Sequence, residues 1–226
     1  MKDSLTQISI VLDRSGSMAD VRDATISGFN EFVKGQKAAP GDCNVTLIQF
    51  DTENAFEEIF DEPLNKVPEL TTKTYVPRGG TPLHDAIGRT ITTLGSKLEK
   101  KSEDSRPGKV VIVVMTDGLE NSSHEYTAPK IAEMIKHQRE AYNWEFIFLG
   151  ANQDAILTGE KLNIPMTHAA TYSHTPAGTH NVMHAMASNV RSYRVTGQSA
   201  SLNFSKEQRE EAMEEDEEKK TKTKGA

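Results

Sequence analysis

Five oxygen-bearing side chains of this sequence fall in three short polar stretches. Asp13, Ser15 and Ser17 lie in Asp13-Arg14-Ser15-Gly16-Ser17, Thr81 follows Gly79-Gly80, and Asp117 stands in Thr116-Asp117-Gly118. Carboxylate and hydroxyl oxygens are hard donors, the kind Mg²⁺ takes in a near-octahedral shell while keeping some of its waters. Where neutral hydroxyls dominate the inner shell, the ion keeps much of its positive charge. It can then accept a carboxylate from another molecule as its last ligand. Such a site binds, and it needs no catalytic residue. Each residue also has a plainer role open to it. Ser15 and Ser17 can cap a first helix and Thr81 a second, at about 1 kcal/mol each, and Asp13 and Asp117 can serve as turn residues. Capping and coordination are compatible, because a hydroxyl has two lone pairs and a proton.

The elements that must position these residues alternate between strand and helix. Gln7 to Leu12 (QISIVL) is an apolar run that ends at Asp13 and predicts a buried strand. A helix is expected from about Asp20 to Lys34, a strand over Val45 to Phe50, and an edge strand over Asn54 to Phe60, where acidic residues discourage further pairing. Pro82 to about Lys101 reads as a helix with Thr81 at its N-cap and Pro82 in its first turn. Lys109 to Thr116 is apolar at six successive positions (VVIVVM), as a strand buried on both faces requires. Further on, a helix over Pro129 to Ala141, a strand over Trp144 to Leu149 and a helix over Ala151 to Leu162 follow. Weaker signals predict a last strand at His168 to Tyr172 and a last helix from Pro176 to about Val195. The pattern predicts an α/β fold with a mostly parallel sheet covered on both faces. Ligands of such sheets sit beyond the carboxyl ends of the strands; the first and third polar stretches fall at that rim, and the second can fold over them.

Taken together, DxSxS after the first strand, a Gly-Gly-Thr loop and a later Thr-Asp-Gly resemble the metal-ion-dependent adhesion site of von Willebrand factor type A domains. The similarity covers about Gln7 to Leu162. It implies a three-layer αβα, doubly wound sheet with one antiparallel edge strand, and the family's five metal-site roles for Asp13, Ser15, Ser17, Thr81 and Asp117. It also implies Mg²⁺ as the cofactor, with Mn²⁺ or Ca²⁺ as the other candidates, and a protein partner presenting a Glu or Asp. Within the family, the last helix often moves between conformations; Pro176 to Val195 would be that element. The stretch Phe148 to Ala155 (FLGANQDA) also resembles small proteins of this family from bacteria and their phages.

The remaining candidates are weaker. Asp51 follows a strand and either lines the metal face or forms a turn, and Arg14 and Arg78 flank the metal stretches where they could steer an acidic partner. His180 and His184 have helical spacing without an evident third ligand, while Asn152, Asp154, Asp20 and Asp23 suit helix starts. A Mg²⁺ phosphohydrolase of the haloacid dehalogenase kind also carries an aspartate after its first strand. Its motif wants a second aspartate two residues on, where Ser15 stands, and no GxSxG elbow supports a serine hydrolase. A structural subunit of a phage particle or bacterial assembly, with the metal only tying loops together, is the other alternative to a binding module.

The chain has 226 residues and a formal net charge of -7. That balance argues against a nucleic-acid partner, which calls for a basic face. The longest apolar run, Val110 to Met115, is too short to span a bilayer, so no membrane role is expected. A single cysteine, Cys43, and no signal-like N-terminus favour the cytoplasm. The expected organisation is one domain over 1–200 and a charged, disordered tail over 201–226.

Overall fold

A computed structural model describes residues 1–151 and 154–214. Among these, strands β1 (Lys2–Asp13), β2 (Asp42–Phe50), β3 (Glu57–Pro63), β4 (Pro107–Thr116), β5 (Glu145–Ala151) and β6 (Ala169–Tyr172) form a sheet in the order β3-β2-β1-β4-β5-β6. All neighbours are parallel except β2 and β3, so β3 is the antiparallel edge. The helices are α1 (Arg22–Lys37), α2 (Leu83–Glu99), α3 (Ala128–Tyr142), α4 (Ala155–Lys161), α5 (Pro176–Thr196) and α6 (Lys206–Ala212). A 3-10 turn over Gly16–Val21 joins β1 to α1.

The apolar run in β4 shows why the sheet has helices on both sides. Val111, Val113 and Met115 enter one core with Phe29 and Phe32 of α1 and Val182 and Met186 of α5. Val110, Ile112 and Val114 enter a second core with Ile87 and Ile91 of α2 and Ile131 and Ile135 of α3. A strand whose alternate residues both need cover can lie only in the middle layer. The edge strand is the contrasting case. It runs three residues later than expected, because the residues before it form a turn around Asp51. Two of its acidic side chains are held by one lysine of α2: Lys97 Nζ lies 2.7 Å from Glu58 Oε2 and 3.0 Å from Asp61 Oδ2.

The expected tail does not begin at 201. Leu202, Phe204 and Ala212 are buried in the first core. Ser205 caps α6 with a capping box closed by Gln208. The Arg209 guanidinium donates to the carbonyls of Ala169 at 2.5 Å and Met166 at 3.0 Å. Helix α6 presents no apolar stripe, so its sequence looks solvated. It is fixed by its cap, one arginine and the apolar pair just before it. The acidic-to-basic stretch 215–226 and Asn152 lie outside the described residues. Asp154 caps α4 as its position suggested, accepting from the Leu157 N–H at 2.9 Å.

Strand β1 sends its chain to β2 on one side, and β4, on its other side, sends its chain to β5. The order therefore reverses between β1 and β4. Crevices at such a switch point are where doubly wound sheets bind ligands. Asp13 ends β1, and Asp117 directly follows β4.

Candidate metal centre

Leu12 pairs with Met115 in the sheet, so Asp13 and Thr116 leave it side by side. The Thr116 hydroxyl donates to Asp13 Oδ2 at 2.6 Å, and the Ser15 N–H donates to Oδ1 at 2.7 Å. The hydroxyl oxygens of Ser15 and Ser17 lie 3.2 Å apart. Both face Asp117 Oδ1, Ser17 at 2.8 Å and Ser15 at 3.5 Å. Four of the five expected residues are thus within one cluster.

The fifth arrives on a loop stitched to both others. The Arg78 N–H donates to the Arg14 carbonyl at 2.8 Å and the Gly16 N–H to the Gly79 carbonyl at 3.0 Å. Gly79 has φ +65°, and a Cβ there would sit 2.3 Å from Thr52 Oγ1, so both backbone and space demand glycine. On the other side, the Thr81 N–H donates to Asn121 Oδ1 at 3.0 Å and the Asn121 N–H to the Thr81 carbonyl at 3.2 Å. A Cβ added to Gly118 would lie 2.9 Å from the Thr81 hydroxyl oxygen, which places that hydroxyl beside the Asp117 loop. No hydrogen bond joins the Thr81 hydroxyl to the other four among the described residues.

None of the three hydroxyls is spent on a helix cap. Ser15 stands at the start of the 3-10 turn but makes no side-chain cap bond. Helix α2 begins at Leu83, and neither Thr81 nor Pro82 caps it. Its first amides are met from the loop after β4 instead: Glu120 Oε2 accepts from the His84 N–H at 2.9 Å and Ser123 Oγ from the Asp85 N–H at 3.0 Å. Asp85 returns the contact, accepting from the N–H groups of His124, Glu125 and Tyr126 at 2.8 to 2.9 Å. Two carboxylates therefore clamp this loop to α2.

The electrostatics of the cluster are one-sided. Asp13 is fully buried, and burial pushes its carboxyl up to about 7, despite hydrogen bonds from Thr116 and Ser15 that pull it down; nearby Asp117 adds to the rise. The Tyr75 hydroxyl donates to the Asp13 carbonyl at 2.6 Å and the Tyr172 hydroxyl to the Thr116 carbonyl at 3.3 Å. Both phenols are pushed well above their ordinary range by burial and by the two aspartates, so they act as neutral donors bracing the strand ends. No lysine or arginine pairs with Asp13 or Asp117 among the described residues. Asp117 Oδ2 is buried and accepts no hydrogen bond, although His174 Nε2 lies 3.0 Å away. Two neighbouring carboxylates, faced by hydroxyls that cap no helix and paired with no lysine or arginine among the described residues, are a donor set that fits a hard divalent cation. Among the described residues no three His, Cys, Asp or Glu side chains converge as a metal-binding group, so hydroxyls would have to complete any shell.

Other expectations are redirected. Arg14 is buried and cannot steer a partner: its Nε lies 2.7 Å from Asp51 Oδ2, and Gln49 and Glu57 take its other nitrogens. Arg78 pairs with Asp51 at 3.0 Å and Glu53 at 3.2 Å. Asp51 itself makes the turn, accepting from the N–H groups of Glu53 and Asn54. His180 and His184 stack with ring centroids 6.5 Å apart and Glu31 Oε2 lies 3.7 Å from His180 Nδ1, but among the described residues no three such side chains converge as a metal-binding group. The residues that sequence reasoning missed are Thr116, Asn121 and His174. His174 follows β6 at the same rim, so the rule that found Asp13 and Asp117 applies to it; the weak β6 signal hid it.

No family model matches the sequence, and no curated protein is similar to it. Solved structures do resemble it. The pilus adhesin SpaC from Lactobacillus rhamnosus GG, in an open conformation, superposes with a TM-score of 0.63 at 14% identity over 84% of this chain and 30% of its own. A von Willebrand factor type A protein from Catenulispora acidiphila gives 0.60 at 13% identity, over 84% of this chain and 43% of its own. Proximal thread matrix protein 1 from mussel byssus, with zinc in its metal-ion-dependent adhesion site, gives 0.57 at 17% identity, over 83% and 48%. This chain therefore has the von Willebrand factor type A fold, and it spans less than half the length of each of these three proteins.

Proposed function

We propose that this domain is a metal-dependent protein-interaction module. Asp13, Ser15, Ser17, Thr81 and Asp117 hold a divalent cation, Mg²⁺ foremost with Mn²⁺ or Ca²⁺ as substitutes, and the site captures a Glu or Asp side chain of a partner protein. The observation that carries this reading is the pair of neighbouring carboxylates that no lysine or arginine meets among the described residues, faced by hydroxyls that cap no helix. Bound there, a cation supplies Lewis acidity toward a carboxylate oxygen. The chain's part is to hold the neutral hydroxyls in place, so that little of the charge is cancelled, and to brace the loops through Asn121, Glu120 and Asp85. The similarity to pilus adhesins and to a protein with zinc in its adhesion site supports both halves of the proposal.

The test is a pull-down with wild type and Asp13→Ala as bait, with Mg²⁺ and with EDTA, beside calorimetric Mg²⁺ titration of both. Mg²⁺ binding by wild type only, with partner capture lost in EDTA and in the variant, is expected. Capture that survives both treatments sinks the proposal. EDTA that lowers the melting temperature but leaves association unchanged would point to a metal that only ties the loops together, as in a structural subunit. Phosphatase turnover lost in Asp13→Asn would point to the hydrolase.

A further inference from the structure

Two apolar side chains stand uncovered in the loops that carry the metal residues: Leu119 is 67% exposed and Val76 49%. Single exposed apolar residues are ordinary on a protein surface, but these two are fixed in place. Leu119 sits two residues beyond Asp117, at most about 7 Å along the chain, between a pinned glycine and a pinned glutamate. The Gly118 N–H donates to the Thr116 hydroxyl at 3.2 Å, and the Glu120 carboxylate accepts from the N–H groups of His84, Ser122 and Ser123 at 2.7 to 2.9 Å. Val76 is held in the same manner. On one side the Tyr75 hydroxyl donates to the Asp13 carbonyl at 2.6 Å, and on the other the Arg78 N–H donates to the Arg14 carbonyl at 2.8 Å. Neither loop can turn its apolar residue inward without breaking these bonds.

The charges of the same loops leave room for one carboxylate and no more. Residues 14–21, 76–82 and 117–127 hold no lysine. Their two arginines are committed, Arg14 to Asp51 and Glu57, Arg78 to Asp51 and Glu53. Asp20, on the 3-10 turn, and Glu53, beside Arg78, are both exposed. A second acidic side chain brought by a partner would meet no unpaired lysine or arginine of these loops and would face those carboxylates, a juxtaposition of like charges. From the fixed apolar pair and this charge pattern we propose that the captured segment is a lone Glu or Asp with apolar side chains directly beside it, seated on Leu119 first and Val76 second, and that acidic clusters are refused. Apolar cover also keeps water off the contact between carboxylate and ion, where attraction is stronger than in water. The inference rests on the metal reading above and specifies its partner.

Three end-capped peptides test it on the full chain: Gly-Leu-Glu-Leu-Gly, Gly-Ser-Glu-Ser-Gly and Gly-Glu-Glu-Glu-Gly. Each is titrated by NMR into wild type and Leu119→Ser, in Mg²⁺ and in EDTA, beside calorimetric Mg²⁺ titration of both proteins. In Mg²⁺ the leucine-flanked peptide is expected to bind wild type about tenfold more tightly than the serine-flanked one. The triglutamate peptide should bind no more tightly than the serine-flanked one, and none should bind in EDTA. In Leu119→Ser the leucine preference is expected to shrink below about threefold, with Mg²⁺ affinity unchanged, since the Leu119 side chain offers the ion no donor. A wild-type leucine preference under about threefold, one that survives Leu119→Ser, a triglutamate peptide that binds as tightly as the leucine-flanked one, or Mg²⁺ binding with no peptide captured would overturn the partner class and leave the metal site standing. Wild type that binds no Mg²⁺, or peptide binding untouched by EDTA, would sink the metal reading itself.

Discussion

Asp13 and Asp51 end neighbouring strands at the same rim, and both are fully buried, yet the fold treats them oppositely. Burial would raise Asp51, but the N–H groups of Asn54 and Glu53 and the guanidinium groups of Arg14 and Arg78 bring it below the ordinary carboxylate range. Asp13 receives one hydroxyl and one amide, and burial wins. The chain has cations within one strand of Asp13 and sends them elsewhere. A buried carboxylate satisfied from within is architecture. One left short of positive charge is where the proposed cation would act, because burying an isolated ionised carboxylate is strongly unfavourable.

The contrast breaks most readily on the Asp51 side. Arg14→Ala leaves Asp51 with the half-exposed Arg78 as its one remaining cation and should destabilise the domain by about 3–5 kcal/mol, equally in Mg²⁺ and in EDTA, by urea unfolding. Asp13→Asn sharpens the other side. The Asp13 carboxyl titrates near 7 in the fold against an ordinary 3.8, so the metal-free fold binds the extra proton between those values. Its contribution is complete below pH 4 and is lost as pH rises through 7, a swing on the order of 4 kcal/mol. Metal-free wild type should lose that stability relative to Asp13→Asn between pH 4 and 8. Mg²⁺ should raise the wild-type melting temperature more at pH 8 than at pH 5 and leave the variant unmoved. Thr116→Val removes the hydroxyl from Asp13 Oδ2 and should lower metal-free stability by about 1–2 kcal/mol, more at pH 8, where the carboxyl is charged. Thr81→Ala is the gentlest. With no cap to lose, its metal-free stability should change by less than about 1 kcal/mol, while Mg²⁺ affinity in the same titration falls about tenfold or more.

Much of this was legible in the residues. Strands β1, β4 and β5 announce themselves because a parallel strand between two helical layers must be apolar on consecutive positions, and the site then falls at their ends. What was not legible depends on pairings across the fold. Nothing local tells that Arg14, inside the DxSxS stretch, turns away to Asp51, or that Glu120 rather than Thr81 meets the start of α2. Leu202 and Phe204 read as isolated apolar residues before a charged run; only the surface beneath them makes them an anchor. His174 was hidden by a strand of four residues.

The clamp between Asp85 and the loop after β4 has a dynamic consequence. His124 and Glu125 are exposed, so their amides would ordinarily trade hydrogen with solvent in moments. Each is instead tied to a carboxylate that is itself buried on α2. Exchange there requires the loop to lift from the helix, an opening that costs a good part of global unfolding. In a deuterium-exchange experiment this surface loop should therefore show the slow, late-labelling profile of a core strand.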